Sequence, residues 1–68
     1  MTITLNQSER KLQIAGCQNE HLRILDNSGR FLFDIPINED HTAYIENVEL
    51  SQGDEITLQP YTETKVTL

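Results

Sequence analysis

The chain has no tryptophan, one cysteine (Cys17), three glycines and two prolines in 68 residues. A single cysteine cannot close an internal disulfide, so the covalent staple common in very small domains is excluded. With no indole and only two phenylalanines and two tyrosines, the chain offers a poor stacking platform for sugars or bases. Basic residues are also scarce: five Lys and Arg stand against eleven Asp and Glu, a formal net charge of −6. Binding to nucleic-acid phosphates depends on displacing counterions with Lys and Arg, so direct nucleic-acid binding is disfavoured, and an anionic membrane surface is disfavoured for the same reason. No apolar run is long enough to cross a bilayer as a helix, and nowhere do apolar residues recur at three-four spacing over a helix-length window.

The charge that is present is unevenly placed. Residues 1–30 set Glu9, Glu20 and Asp26 against Arg10, Lys11, Arg23 and Arg30. Residues 31–64 hold Asp34, Glu39, Asp40, Glu46, Glu49, Asp54, Glu55 and Glu63 with no lysine or arginine. Acids spread along a small β protein keep it soluble and discourage its strands from pairing with neighbours. They would also suit a basic partner or a bound cation.

One stretch imitates a processing signal. Ile14-Ala15-Gly16-Cys17 has the small-residue pattern of a bacterial lipoprotein cleavage site. Such a signal needs an apolar run before it, and here Asn6, Gln7, Ser8, Glu9, Arg10 and Lys11 stand in that place. The four residues read instead as the end of a strand entering a glycine turn, with Cys17 a small packed side chain. With no signal peptide or transmembrane segment visible, the chain either works where it is made or belongs to a longer exported protein whose signal lies elsewhere; its localisation stays unassigned.

What the sequence does carry is period-two alternation. Ile3 and Leu5 face one way and Thr2 and Thr4 the other; Leu12 with Ile14, and Leu22 with Ile24, repeat the pattern. Phe31, Phe33 and Ile35 share a face opposite Asp34, and Pro36 marks a strand end or an edge. Ala43 and Ile45 are in phase, then the alternation slips near Asn47 so that Val48 and Leu50 take over. Ile56 with Leu58 and Val66 with Leu68 close the series. Turn signals separate these segments. Asp26-Asn27-Ser28-Gly29 fits a type I turn with Gly29 in the left-handed conformation, and Gly53 in "LSQGDE" calls for positive φ. "INEDHT" and "AGCQNE" supply two more turns.

The fold expected is therefore all-β: a single domain over residues 1–68, a compact antiparallel sandwich of about seven short strands, immunoglobulin-like, with a small β-barrel as the alternative. Its expected core contains Ile24, Phe31, Phe33, Ile45 and Ile56, with turns fixed by Gly29 and Gly53. A chain this short buries only about 60% of its unfolded surface, so a partner subunit would be a natural support.

The run from "LQIAG" through "LRILDNSGRFLFDIPI" and "YIENVELSQGDEITL" to "KVTL" resembles the small immunoglobulin-like sandwiches of Bacteroidetes, above all the C-terminal sorting domains of the type IX secretion system. The matching positions are Asp26, Gly29 and Arg30, then Ile45, Leu50 and Gly53, then Lys65 with Val66. The resemblance implies a sandwich appended to a larger exported protein.

Chemistry-bearing constellations are few. Cys17, His21 and His41 could gather as metal ligands or as a thiol-imidazole pair, but no C-x-x-C spacing or flanking motif accompanies them. Ser8, Ser28 and Ser51 stand in turn-like stretches, none in a nucleophile elbow. Calcium held by turn carboxylates among Asp26, Asp34, Glu39, Asp40, Asp54 and Glu55 is the one cofactor these residues leave open, without an EF-hand series. Tyr44 and Tyr61 are the aromatics left over for a sugar. Thr2, Thr4, Thr57, Thr62, Thr64 and Thr67 cluster toward the two ends at outward strand positions, where they form solvated sheet surface or a flat polar docking face.

No catalytic, cofactor-binding or metal residue is assigned. The function expected is a non-enzymatic protein-interaction or attachment module, such as an appended sandwich domain or a virion decoration protein, with a protein partner or a homo-oligomer as its counterpart. The alternative is an acidic inhibitor, of the kind a phage could encode, that blocks a basic nucleic-acid-binding site with its carboxylates from Asp34 to Glu63.

Overall fold

The structure is a computed structural model that describes residues 1–59 and 64–68. Most of the alternating segments form strands: β1 Thr2–Asn6, β2 Lys11–Ala15, β3 His21–Asp26, β4 Phe31–Pro36, β5 Thr42–Ile45, β6 Glu55–Gln59 and β7 Thr64–Thr67, whereas Val48 and Leu50, which continue the alternation past Asn47, lie in a connection. No described residue is helical. Two sheets result, one in the order β1-β2-β5 and one in the order β4-β3-β6-β7. Every neighbouring pair is antiparallel. The molecule is thus a β-sandwich with open edges, not a closed barrel. The chain changes sheet after β2, after β4 and after β5.

The inward residues of the central strands make the core. Leu12 and Ile14 of β2, Ala43 and Ile45 of β5, Leu22 and Ile24 of β3, and Ile56 and Leu58 of β6 are buried, joined by Cys17 and Val48 from the connections. Full burial of one such aliphatic side chain is worth about 1.5–3 kcal/mol, so this cluster carries most of the driving force. Ile24, Ile45 and Ile56 are where the alternation puts them.

Phe31 is not. It is 54% exposed. The register explains why: Leu25 opposes Phe31 while Ile24 opposes Phe33, so Leu32 is an extra residue in β4 with no opposite number. This bulge resets the phase of the strand. Phe33 and Ile35 pack against the core as expected and Asp34 faces out, but Leu32, not Phe31, takes the next inward place. The expectation of a core Phe31 is corrected accordingly.

The turns are built as their residues demand. In the β3–β4 hairpin the Gly29 N–H donates to the Asp26 carbonyl at 3.0 Å, the Asp26 N–H donates to the Arg30 carbonyl at 2.8 Å, and Gly29 has φ +86°. Gly53 also has positive φ, +93°, and its N–H donates to the Leu68 carbonyl. The slip after β5 occurs at Asn47, which has φ 57°. The next residue, Val48, donates its N–H to the Arg10 carbonyl at 2.9 Å, which brings its side chain back into the core.

Candidate functional site

The residues that could have made a chemical site do not converge on one. Cys17 is fully buried, and its thiol donates to the Ile14 carbonyl at 3.4 Å. Its N–H donates to the His41 carbonyl at 2.8 Å, yet the side chains of His41 and His21 face solvent. Among the described residues, no three of His, Cys, Asp and Glu are grouped to hold a metal ion.

Several carboxylates instead organise their own loops. Asp26 accepts from the Ser28 hydroxyl at 2.7 Å, the Arg30 N–H at 2.8 Å and the Ser28 N–H at 2.9 Å. These bonds favour the charged form and hold its carboxyl below the usual aspartate value, the Ser28 hydroxyl contributing most. Asp40 accepts from the Thr42 N–H at 3.1 Å, and Asp54 from the Ser51 N–H at 2.9 Å. Tyr44, half exposed, donates its hydroxyl to Asp40 at 2.7 Å, and that bond pushes the phenol's pKa above its ordinary value. Asp34 lies 3.6 Å from His21 and 3.8 Å from Arg23 on the outer face of β3 and β4. Tyr61, Thr62 and Glu63 lie outside the described residues, as does the side chain of Thr64.

What the fold does present is a set of sheet edges, and they differ. Among the described residues, the edge strands are β1 and β5 in one sheet and β4 and β7 in the other. An open edge invites a foreign strand unless it is kept short, charged, bulged or proline-capped. β4 carries the bulge at Leu32, the exposed Asp34 and a terminal Pro36. β5 has four residues and is cut off by the Asn47 turn. β7 carries Lys65. β1, Thr-Ile-Thr-Leu-Asn, has no charge, no proline and no bulge: all five residues pair in unbroken register with β2, from Thr2 opposite Ala15 to Asn6 opposite Lys11. The two sides of the sandwich differ as well. β4 and β5 touch across one side, whereas β1 and β7 are separated on the other by an open cleft of about 170 Å³ lined by Ile3, Leu5, Gln52, Val66, Thr67 and Leu68. None of these side chains is charged. The four apolar ones are half-buried, packed against the core on one flank and open on the other.

Known proteins do not supply a family. No family model, no curated protein and no solved structure matches the chain. The β1 edge with its adjoining cleft is therefore the candidate site on its geometry alone. Sequence reasoning had the ingredients, Ile3 with Leu5, Val66 with Leu68, and threonines on the outward side, but not the fact that both terminal strands end up at edges on the same side. That placement follows from strand order, which no local signal encodes.

Proposed function

We propose that this chain is a non-enzymatic protein-interaction or attachment module that accepts a partner's extended segment along β1. In this mode the partner's backbone supplies the missing ladder of hydrogen bonds, and alternate side chains enter the apolar cleft between β1 and β7. The observation that carries the reading is the contrast between edges: β4 has a bulge, a charge and a proline, while β1 is straight, neutral and long enough to template a strand. A non-enzymatic role fits a thiol buried against the Ile14 carbonyl and carboxylates engaged in their own turns.

The strand order supports an immunoglobulin-like form of the sandwich. In a constant-type immunoglobulin domain the first, second, fifth and fourth strands share one sheet and the third, sixth and seventh the other. Here the fourth strand sits beside the third instead. Such a scaffold, appended to a larger protein as the sorting-domain resemblance implies, would provide attachment through an edge without needing a catalytic pocket.

The test is selection of extended peptides from a random library against the intact protein. Binders should be alternating β-formers, should hold in high salt, and should shift the amide resonances of β1. Binders whose affinity collapses with salt and is lost when Glu46 and Glu49 become Gln would overturn this reading in favour of the acidic inhibitor.

A further inference from the structure

We infer that the strand received by β1 is β1 of a second copy, paired antiparallel about a two-fold axis at Thr4; this rests on the edge-docking reading above and names the partner. Charge selects the place. Two copies at −6 each repel, so they meet at least cost where acidic side chains are fewest. β1 is uncharged, the outward residues opposite it on β2 are Ala15, Gln13 and the basic Lys11, and Glu9, in the turn beyond the end of β1, accepts from the Asn6 side chain at 2.9 Å. Asp34, on β4, is in the other sheet.

The register follows from the side-chain period. Directly opposed residues of an antiparallel pair point to the same face, so a self-pairing of β1 can match Ile3 and Leu5 only with one another or with themselves. Centring the axis on Thr4 opposes Ile3 with Leu5 of the second copy, Thr2 with its Asn6, and Thr4 with its own counterpart, and uses the whole strand. Centring on Ile3 or on Leu5 leaves part of β1 without an opposite residue, and any register between residues sets apolar side chains against polar ones. The favoured pairing makes one continuous sheet, β5-β2-β1-β1-β2-β5, and closes the neutral edge. It covers the flanks of Ile3 and Leu5, which a single copy leaves half-buried. A contact of one strand per subunit falls in the small interface class, so the dimer should be reversible, in the micromolar range or weaker.

Sedimentation velocity over a concentration series, with disulfide trapping at chosen positions, tests this. The wild-type chain should shift from monomer to dimer as concentration rises. Thr4→Lys should weaken that association by about tenfold or more, because two ammonium groups then oppose each other across the axis. That substitution moves the net charge toward zero, so the loss cannot come from overall repulsion. Thr4 is exposed, and circular dichroism should show the variant folded. Under mild oxidation Thr4→Cys should form a disulfide dimer while Thr2→Cys, which faces Asn6, stays largely a thiol; the buried Cys17 does not compete. A wild-type chain that stays monomeric, or Thr2→Cys cross-linking as well as Thr4→Cys, overturns the inference. If library peptides still bind β1 in that case, the docking reading survives without the self-pairing; if they do not, both fall.

Discussion

Asp26 shows how much a single side chain does in a domain with so few. Its carboxylate accepts three bonds from the turn it opens, and the largest effect on its acidity comes from the Ser28 hydroxyl. Because the folded pKa lies below the ordinary aspartate value of 3.8, the charged form stabilises the fold, fully so above that value, and the contribution is lost as pH falls through the folded pKa. We expect Asp26→Asn to melt at a lower temperature than wild type near neutral pH, and the gap to narrow as pH is lowered through and below the aspartate range. A gap unchanged at low pH would mean the charge is not what organises the turn. Gly29 gives the companion case. A Cβ there would meet nothing within 4 Å, so any cost of Gly29→Ala comes from the backbone at φ +86°. We expect a loss of about 1–2 kcal/mol in denaturant unfolding, and a smaller loss for Gly29→Asn, which tolerates the left-handed region better.

At the level of the strand, β4 is the informative element, because its bulge decides which aromatic matters. We expect Phe31→Thr to change stability by no more than about 0.5 kcal/mol, as for an exposed site, whereas Ile56→Ala, at a fully buried position, should cost about 2–5 kcal/mol. Equal costs would put Phe31 back in the core. The same strand shows what a sequence of this kind encodes and what it withholds. Alternation was enough to delimit the strands, and turn chemistry was enough to give the β3–β4 hairpin and the positive φ of Gly29 and Gly53, since both depend on residues within a few positions of each other. The bulge at Leu32 was not legible. Phe31-Leu32-Phe33 alternates equally well with or without an extra residue, and only the partner strand's register decides. Positive φ at Arg10 was hidden for a similar reason, since arginine is not a residue type that advertises it; histidine is more often found there, as at His41, and both residues donate their N–H to a carbonyl three positions back, that of Gln7 and that of Asn38. The pairings of β2 with β5 and of β3 with β6 join segments far apart in the chain, so they come from sheet packing. The candidate site depends on those pairings, since they are what leave β1 and β7 as outer strands.

For the molecule as a whole, the balance between repulsion and pairing among its charges sets how it responds to salt. Among the described residues, the ion pairs of Arg10 with Glu49, Arg23 with Asp34 and Arg30 with Asp26 are spaced at 3.4–3.8 Å and largely exposed, where such pairs contribute little. Against them stands the excess of acids along residues 31–64, a stretch that has no lysine or arginine of its own, within a body of only 27 × 25 × 17 Å. At low ionic strength the screening length exceeds these dimensions or matches them, and it contracts to about 10 Å at 0.1 M salt. Screening therefore removes more repulsion than attraction. We expect the melting temperature at neutral pH to rise as NaCl goes from about 10 mM to about 300 mM, and the dimer of β1 edges to tighten over the same range, since each copy carries the same sign of charge. An acidic surface engaging a basic partner behaves in the opposite way and loosens with salt. Sedimentation of the chain alone over this salt range therefore reads the pairing of copies at the neutral edge, while melting reads the repulsion among the acids; a tightening of the dimer with salt is the outcome expected of a domain whose copies meet away from their acids.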